Sequence, residues 1–335
     1  MSKPNRLRRV ILAALCALSA PLSAANLTYF RTVPNTDFAV FGAGGMRGQG
    51  TGSIVVSGIS GTVTGAFLFW HGPTDDSGDR NAGATFGGSS ILGLNIGLSG
   101  DNGWSLDHSV AYRADVTGLV AGNGTYSLAN FRKPGPRLAD INGVSLLIFF
   151  DDGNPSNNRD VVVFNGNHSN KINYFDADNW SVALPGITYA GGPVNMLLVV
   201  SDGQAWNDDE LKINGSTFLA SGELGWQGST VPDQGKASTT NGGLWDQRSF
   251  DVTSLMSPGL NTLQIQPTTY VDDQVSLIAV LFDLPVGAAP FLPTPTAQTP
   301  TPTPSWTLTP TPTPTRTPGL SKRTPSPTPT PNPGL

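Results

Sequence analysis

The chain that would remain after export has no cysteine, because the one Cys, Cys16, lies inside an N-terminal export segment. That excludes disulfides, a thiolate nucleophile and a Cys-ligated zinc from the mature protein. Glutamate is almost as scarce. Of 24 acidic residues only Glu210 and Glu223 are Glu, and the other 22 are Asp. Asp favours turns and caps, whereas Glu favours helices. No window sustains the 3.6-residue apolar period of a helix. Histidine numbers three (His71, His108, His168), with no ligand spacing. The G-x-S-x-G, H-E-x-x-H and P-loop motifs are missing. Gly42–Gly52 is glycine-rich, but no helical pattern follows it to complete a phosphate site. These absences argue against catalysis, and the expectation is a non-enzymatic protein.

Both ends are compositionally distinct. Lys3, Arg6, Arg8 and Arg9 precede a short apolar run, Val10–Ala20, and a small-residue site, Ser23-Ala24-Ala25. Residues 1–25 therefore read as a secretory signal. The run is too short to cross a ~30 Å hydrocarbon core, so no membrane span is expected in the mature chain. Residues 290–335 hold 15 of the 28 prolines, alternating with Thr. Such a segment buries little apolar area and is expected to be a disordered, polyproline-like stalk. Between the ends, residues 26–289 carry 12 basic and 24 acidic residues, a net charge of −12. That charge argues against nucleic acid as a partner.

Within this body the apolar runs are short and β-rich: Ser53–Val56, Ala66–Trp70, Val144–Phe150, Val161–Phe164, Met196–Val200 and Val275–Phe282. Several are continuous rather than alternating, as in strands covered on both faces. Asn-Gly recurs at 123, 142, 165, 214 and 241, and Asp-Gly at 152 and 202, which predicts hairpin turns. The fold class expected is all-β. The chain also repeats itself. VTGAFLFWHG (Val63–Gly72) aligns with VNMLLVVSDG (Val194–Gly203) at an offset of 131, as does Val144-Ser145-Leu146 with Val275-Ser276-Leu277. YRADVTGLV answers SFDVTSLM with Asp115 and Asp251 offset by 136. The period is that of a domain. Two tandem jelly-roll-like β-sandwich modules are predicted, 26–155 and 156–289, dividing near Asp151–Arg159. A shared interface is expected, and strands near Val161 could instead complete the first module.

The element Asp251-Val252-Thr253-Ser254-Leu255, with its copy Asp115-Val116-Thr117-Gly118-Leu119, resembles a structural segment of galactose-binding-like sandwiches. More broadly, FLFWHG, ADVTGLVAGNGTYSLANF, GVSLLIFFDDGNPSNNRDVVVFNG, SDGQAWNDDELKINGS and WDQRSFDVTSL together resemble a family of uncharacterised secreted surface proteins of bacteria and archaea, a domain of unknown function. The resemblance implies a cell-surface role and carries over no catalytic residues.

Two patterns suggest binding. Asp75, Asp76 and Asp79 follow one copy of the repeated strand, and Asp208, Asp209 and Glu210 follow the other. Clustered oxygen donors on flexible loops suit calcium, the alternative being solvated turns. Among the loop tryptophans Trp104, Trp206, Trp226 and Trp245, the polar or Gly-rich surroundings of Trp206 and Trp226 mark them as candidate contacts for a polysaccharide or another surface protein. Trp70 and Trp245, beside strands, are expected to seal the sandwiches. The function expected is secreted binding, adhesion or structural display. The alternative is a carbohydrate-binding module or a component of a carbohydrate-active enzyme, which would need two opposed carboxylates.

Overall fold

A computed structural model describes residues 27–76, 79–176, 179–235, 242–266 and 272–293. The predicted signal and nearly all of the predicted stalk lie outside them. The described residues are almost entirely strands and loops. Helix is confined to two single 3-10 turns, Thr117–Leu119 and Thr253–Leu255.

The first copy contributes β1 (Thr28–Ala43), β2 (Gly52–Val56), β3 (Thr62–Thr74), β4 (Gly83–Phe86), β5 (Ser89–Leu92), β6 (Leu94–Ser99), β7 (His108–Asp115), β8 (Gly124–Ala129) and β9 (Gly143–Asp151). The second contributes β10 (Arg159–Ser169), β11 (Val182–Tyr189), β12 (Asn195–Ser201), β13 (Leu211–Ile213), β14 (Ser216–Leu219), β15 (Trp245–Asp251), β16 (Gly259–Gln266) and β17 (Ser276–Pro285). Two four-stranded sheets, β2-β8-β4-β5 and β11-β16-β13-β14, have the same order of equivalent strands. Each covers one half of a nine-stranded antiparallel sheet, β15-β12-β17-β10-β1-β9-β3-β7-β6.

The strand β1 joins the halves. Its first part pairs with β10 and its second with β9. The change falls between Thr36 and Asp37, just after a register shift at Pro34-Asn35, where proline has no N–H to give a ladder and Asn35 takes a left-handed φ of 49°. The two halves then pack against each other. Phe67, Phe69, Leu147 and Phe149 of one meet Val161, Val163, Val199, Ile278 and Leu281 of the other in a third core. This explains the continuous apolar runs. Along β9, Val144, Leu146, Ile148 and Phe150 enter the outer core, while Leu147 and Phe149 enter the core between the halves. Each such side chain stabilises by ~1.5–3 kcal/mol when fully buried, so neither half is complete without the other. The described residues accordingly fall in one compact unit.

The repeat is real but its register is not 131. Phe67 stands opposite Asp115, and Asn195 opposite Asp251, so residue n of β3 answers residue n + 128 of β12. Leu68 faces Leu146 and Met196 faces Phe282, so β9 answers β17 at n + 136, the offset of the DVT element. A shift of three residues exchanges faces. At 131 Leu68, in an outer core, would answer Val199, which lies between the halves. The DVT contacts obey the corrected register. Thr117 Oγ1 accepts the Ala66 N–H and Thr253 Oγ1 the Val194 N–H, both at 2.9 Å. Asp115 and Asp251 each cap their turn through the N–H two residues on.

The Asn-Gly reading needs a second correction. Asn214-Gly215 closes the β13–β14 hairpin with φ of 49° and 81°, as a two-residue turn requires. Asn142-Gly143 instead enters β9 deep in the structure, and Asn165-Gly166 lies within β10 at a register shift.

Candidate functional site

Loops from both copies meet at one end of the molecule and enclose a groove of about 510 Å³. The loop between β6 and β7 supplies Asn102, Gly103 and Trp104. The loop after β12 supplies Gln204 and Trp206, and the turn before β17 supplies Asp272, Asp273 and Gln274. Trp206 is 56% exposed, so the groove carries an open indole face beside amide and carboxylate groups.

The groove wall is anchored by a buried polar cluster. Trp104 Nε1 donates to Asp202 Oδ2 at 2.6 Å, and the guanidinium carbon of Arg47 lies 3.8 Å from the Trp104 ring centroid. Arg47 also bonds Asp202 Oδ1 and Asn142 Oδ1, while Asn142 Nδ2 donates to Asp202 Oδ1 and to Ser201 Oγ. His71 Nδ1 sits 2.7 Å from Ser201 Oγ. Arg47, His71 and Asn142 come from the first copy, Ser201 and Asp202 from the second. The cluster is thus a polar rivet across the seam, and it holds one face of Trp104 already covered. Burial pulls His71 down to about 3, so its imidazole is neutral.

Three carboxyls near the groove end are held away from their ordinary range. Burial raises Asp202 to about 6, with Arg47 opposing it. Asp273 lines the groove floor, and its Oδ2 accepts the Gln204 N–H at 2.9 Å. Burial raises Asp273 to about 8, helped by repulsion from Asp208 and Asp202. Burial raises Asp208 to about 7, partly opposed by its backbone hydrogen bonds. At neutral pH the floor of the groove therefore carries a protonated acid.

The predicted residues divide. Trp206 stands on the groove. Trp226 does not present a face to solvent; it is 2% exposed. Asp208 Oδ2 accepts the N–H groups of Gly225 and Trp226 at 2.6 and 2.7 Å and draws that loop inward. The indole then packs edge-on against Trp180 and Phe250. Beside it is a hollow of about 10 Å³, room for about one water and not for a sugar. Trp70 and Trp245 are fully buried, as expected from their strands.

The acidic loops do not gather into one cage of oxygens. Asp208 turns into the interior, Asp209 Oδ2 accepts from Asn170, and Glu210 bonds Lys212 and Thr217. Asp75 Oδ1 accepts the Asp107 N–H, Asp76 N–H donates to Thr74, and Asp79 Oδ1 accepts from Asn95. Among the described residues no group of three or more His, Cys, Asp or Glu is arranged to hold a metal ion, and no helix is long and apolar enough to cross a membrane.

Sequence reasoning missed Arg47, Gln204, Asp273 and Gln274. Arg47 carries no motif, and the Asp272-Asp273 pair reads as one more turn. Their roles arise only because loops separated by about 170 residues meet. Comparison with protein-family models finds no match to this chain, and comparison with curated proteins finds none.

Proposed function

We propose that this chain is an exported, cell-surface or secreted binding protein that takes a saccharide chain in the groove between Trp104 and Trp206. The single observation that carries the reading is the open face of Trp206 beside Gln204, Gln274 and Asp272. Flat apolar rings stack on sugar faces, and amides and carboxylates bond hydroxyls. Function of this kind commonly sits on loops at one end of a rigid β scaffold. The N-terminal signal pattern, the Pro-Thr stalk and the resemblance to secreted surface proteins support the location. A glycan array with the purified chain tests it. Binding should be lost in Trp206→Ala and kept in Trp226→Ala, whose side chain packs in the core. Equal binding by Trp206→Ala and the unaltered chain refutes the assignment.

A second reading has one observation in its favour. A glycoside hydrolase needs a carboxylic acid that stays protonated near neutral pH, and Asp273 is such a group on the groove floor. Hydrolysis of an array-positive glycan that disappears in Asp273→Asn would select this reading over simple binding.

A further inference from the structure

At the margin of the core between the half-sheets, two arginines share an aromatic platform. The Arg113 guanidinium carbon lies 3.5 Å from the Phe30 ring centroid, and that of Arg31 lies 4.8 Å from it. Arg31 also sits 4.2 Å from the Phe67 centroid. Phe30 and Phe67 meet edge-on at 5.2 Å, so Arg31 rests in the angle between two rings.

Among the described residues neither cation makes an ion pair. The ion pairs among the described residues involve Arg47, Arg132, Arg159 and Lys212. Arg113 donates a hydrogen bond to Asn165 Oδ1 and Arg31 makes none among the described residues. The carboxylate nearest in effect to both is Asp115. Its Oδ1 is already engaged by the Thr117 N–H and hydroxyl at 3.0 and 2.7 Å. The unfilled guanidinium nitrogens are not among the buried atoms that lack partners, so they reach solvent. Burial and the neighbouring Arg31 pull Arg113 down to about 10, as two like charges in one half-buried site require.

A body with a net charge of −12 has acids in excess. Two arginines that stand together with no ion pair among the described residues, supported only at a distance by Asp115, suit a counter-charge from outside the chain. The guanidinium fork, held flat by rings, matches the paired oxygens of an oxyanion. We propose that Arg31 and Arg113 form a binding site for an oxyanion group, a sulfate, phosphate or carboxylate, separate from the groove and independent of the saccharide reading. The rings orient the two forks, and Asn165 holds Arg113 in place.

The test is isothermal titration of the full chain with sodium sulfate, against sodium chloride at matched ionic strength. A parallel arm uses a sulfated disaccharide. Sulfate heat beyond the chloride control is expected, with affinity falling about tenfold or more in Arg31→Gln, as for the loss of a charge-assisted bond. Among the described residues Arg31 has no hydrogen bond to lose, and Arg31→Lys, which keeps the charge without the fork, should be intermediate. Stronger binding of the disaccharide than of sulfate would mean that a sugar carries the anion; equal binding would mean a free oxyanion suffices. No sulfate heat above chloride, or equal affinity in the unaltered chain and Arg31→Gln, overturns the site.

Discussion

Replacing Asp208 by Asn should make the protein more stable at alkaline pH. The carboxyl is fully buried, accepts two backbone N–H groups through Oδ2, and leaves Oδ1 buried without a partner. Its folded pKa is raised from 3.8 to about 7, first by burial and then by repulsion from Asp246 and Asp209. A raised acid contributes stability that is complete below its unfolded pKa and is lost as pH rises through the folded one. Between pH 5 and pH 8 about two pKa units of that range are crossed, each worth ~1.4 kcal/mol, so the loss is about 3 kcal/mol. The amide of Asp208→Asn would mimic the protonated acid at every pH. Relative to the unaltered chain, the variant should gain about 3 kcal/mol of stability between pH 5 and pH 8. His71 acts with the opposite sign. Its folded pKa is depressed to about 3, so its contribution is present above the unfolded value and lost on acidification. The difference between variant and unaltered chain cancels that term. Urea unfolding at pH 5, 6.5 and 8 measures it, followed by the fluorescence of Trp226, whose backbone N–H bonds Asp208. A difference that does not change with pH refutes the reasoning.

Three further outcomes are expected. Arg47→Met leaves Asp202 buried without its cation and should cost ~3–5 kcal/mol at pH 8, but less at pH 5, where Asp202 takes up a proton; equal losses at both would show that the pair does not matter electrostatically. Gly143→Ala would place a Cβ 2.6 Å from the Ala43 carbonyl oxygen and 2.7 Å from Trp245 Cβ, so it should lower stability by ~1–3 kcal/mol, read as a lower Tm in calorimetry. Residues 26–155 expressed alone should bind a hydrophobic dye and aggregate, because Phe67, Phe69, Leu147 and Phe149 lose their cover; a monodisperse, cooperatively melting fragment would contradict the shared core.

Much of the fold was legible before the structure. Scarce Glu, abundant Gly and short β-branched runs exclude helix, and they do so locally, because propensity and period are properties of a few adjacent residues. Ala66–Trp70 and Val144–Phe150 are apolar on both faces, and that alone required cover on both sides. The Asp of each DVT element announced its own cap, since donor and acceptor lie two residues apart. Sequence similarity was a poorer guide to register. In a strand every second residue shares a face, so a match of apolar letters is nearly as good three residues out of place. Which residues meet across the chain was decided only by tertiary structure. Just past the irregularity at Pro34-Asn35, β1 passes from one half-sheet to the other, and the halves stack because neither can leave its second apolar face in water. That stacking brings Arg47 to Asp202, puts Trp104 and Trp206 on one groove, and holds Asp273 in surroundings dry enough to keep its proton. It also takes Trp226 inside. No local pattern separates these tryptophans, because burial and charge depend on what the rest of the chain places around a residue.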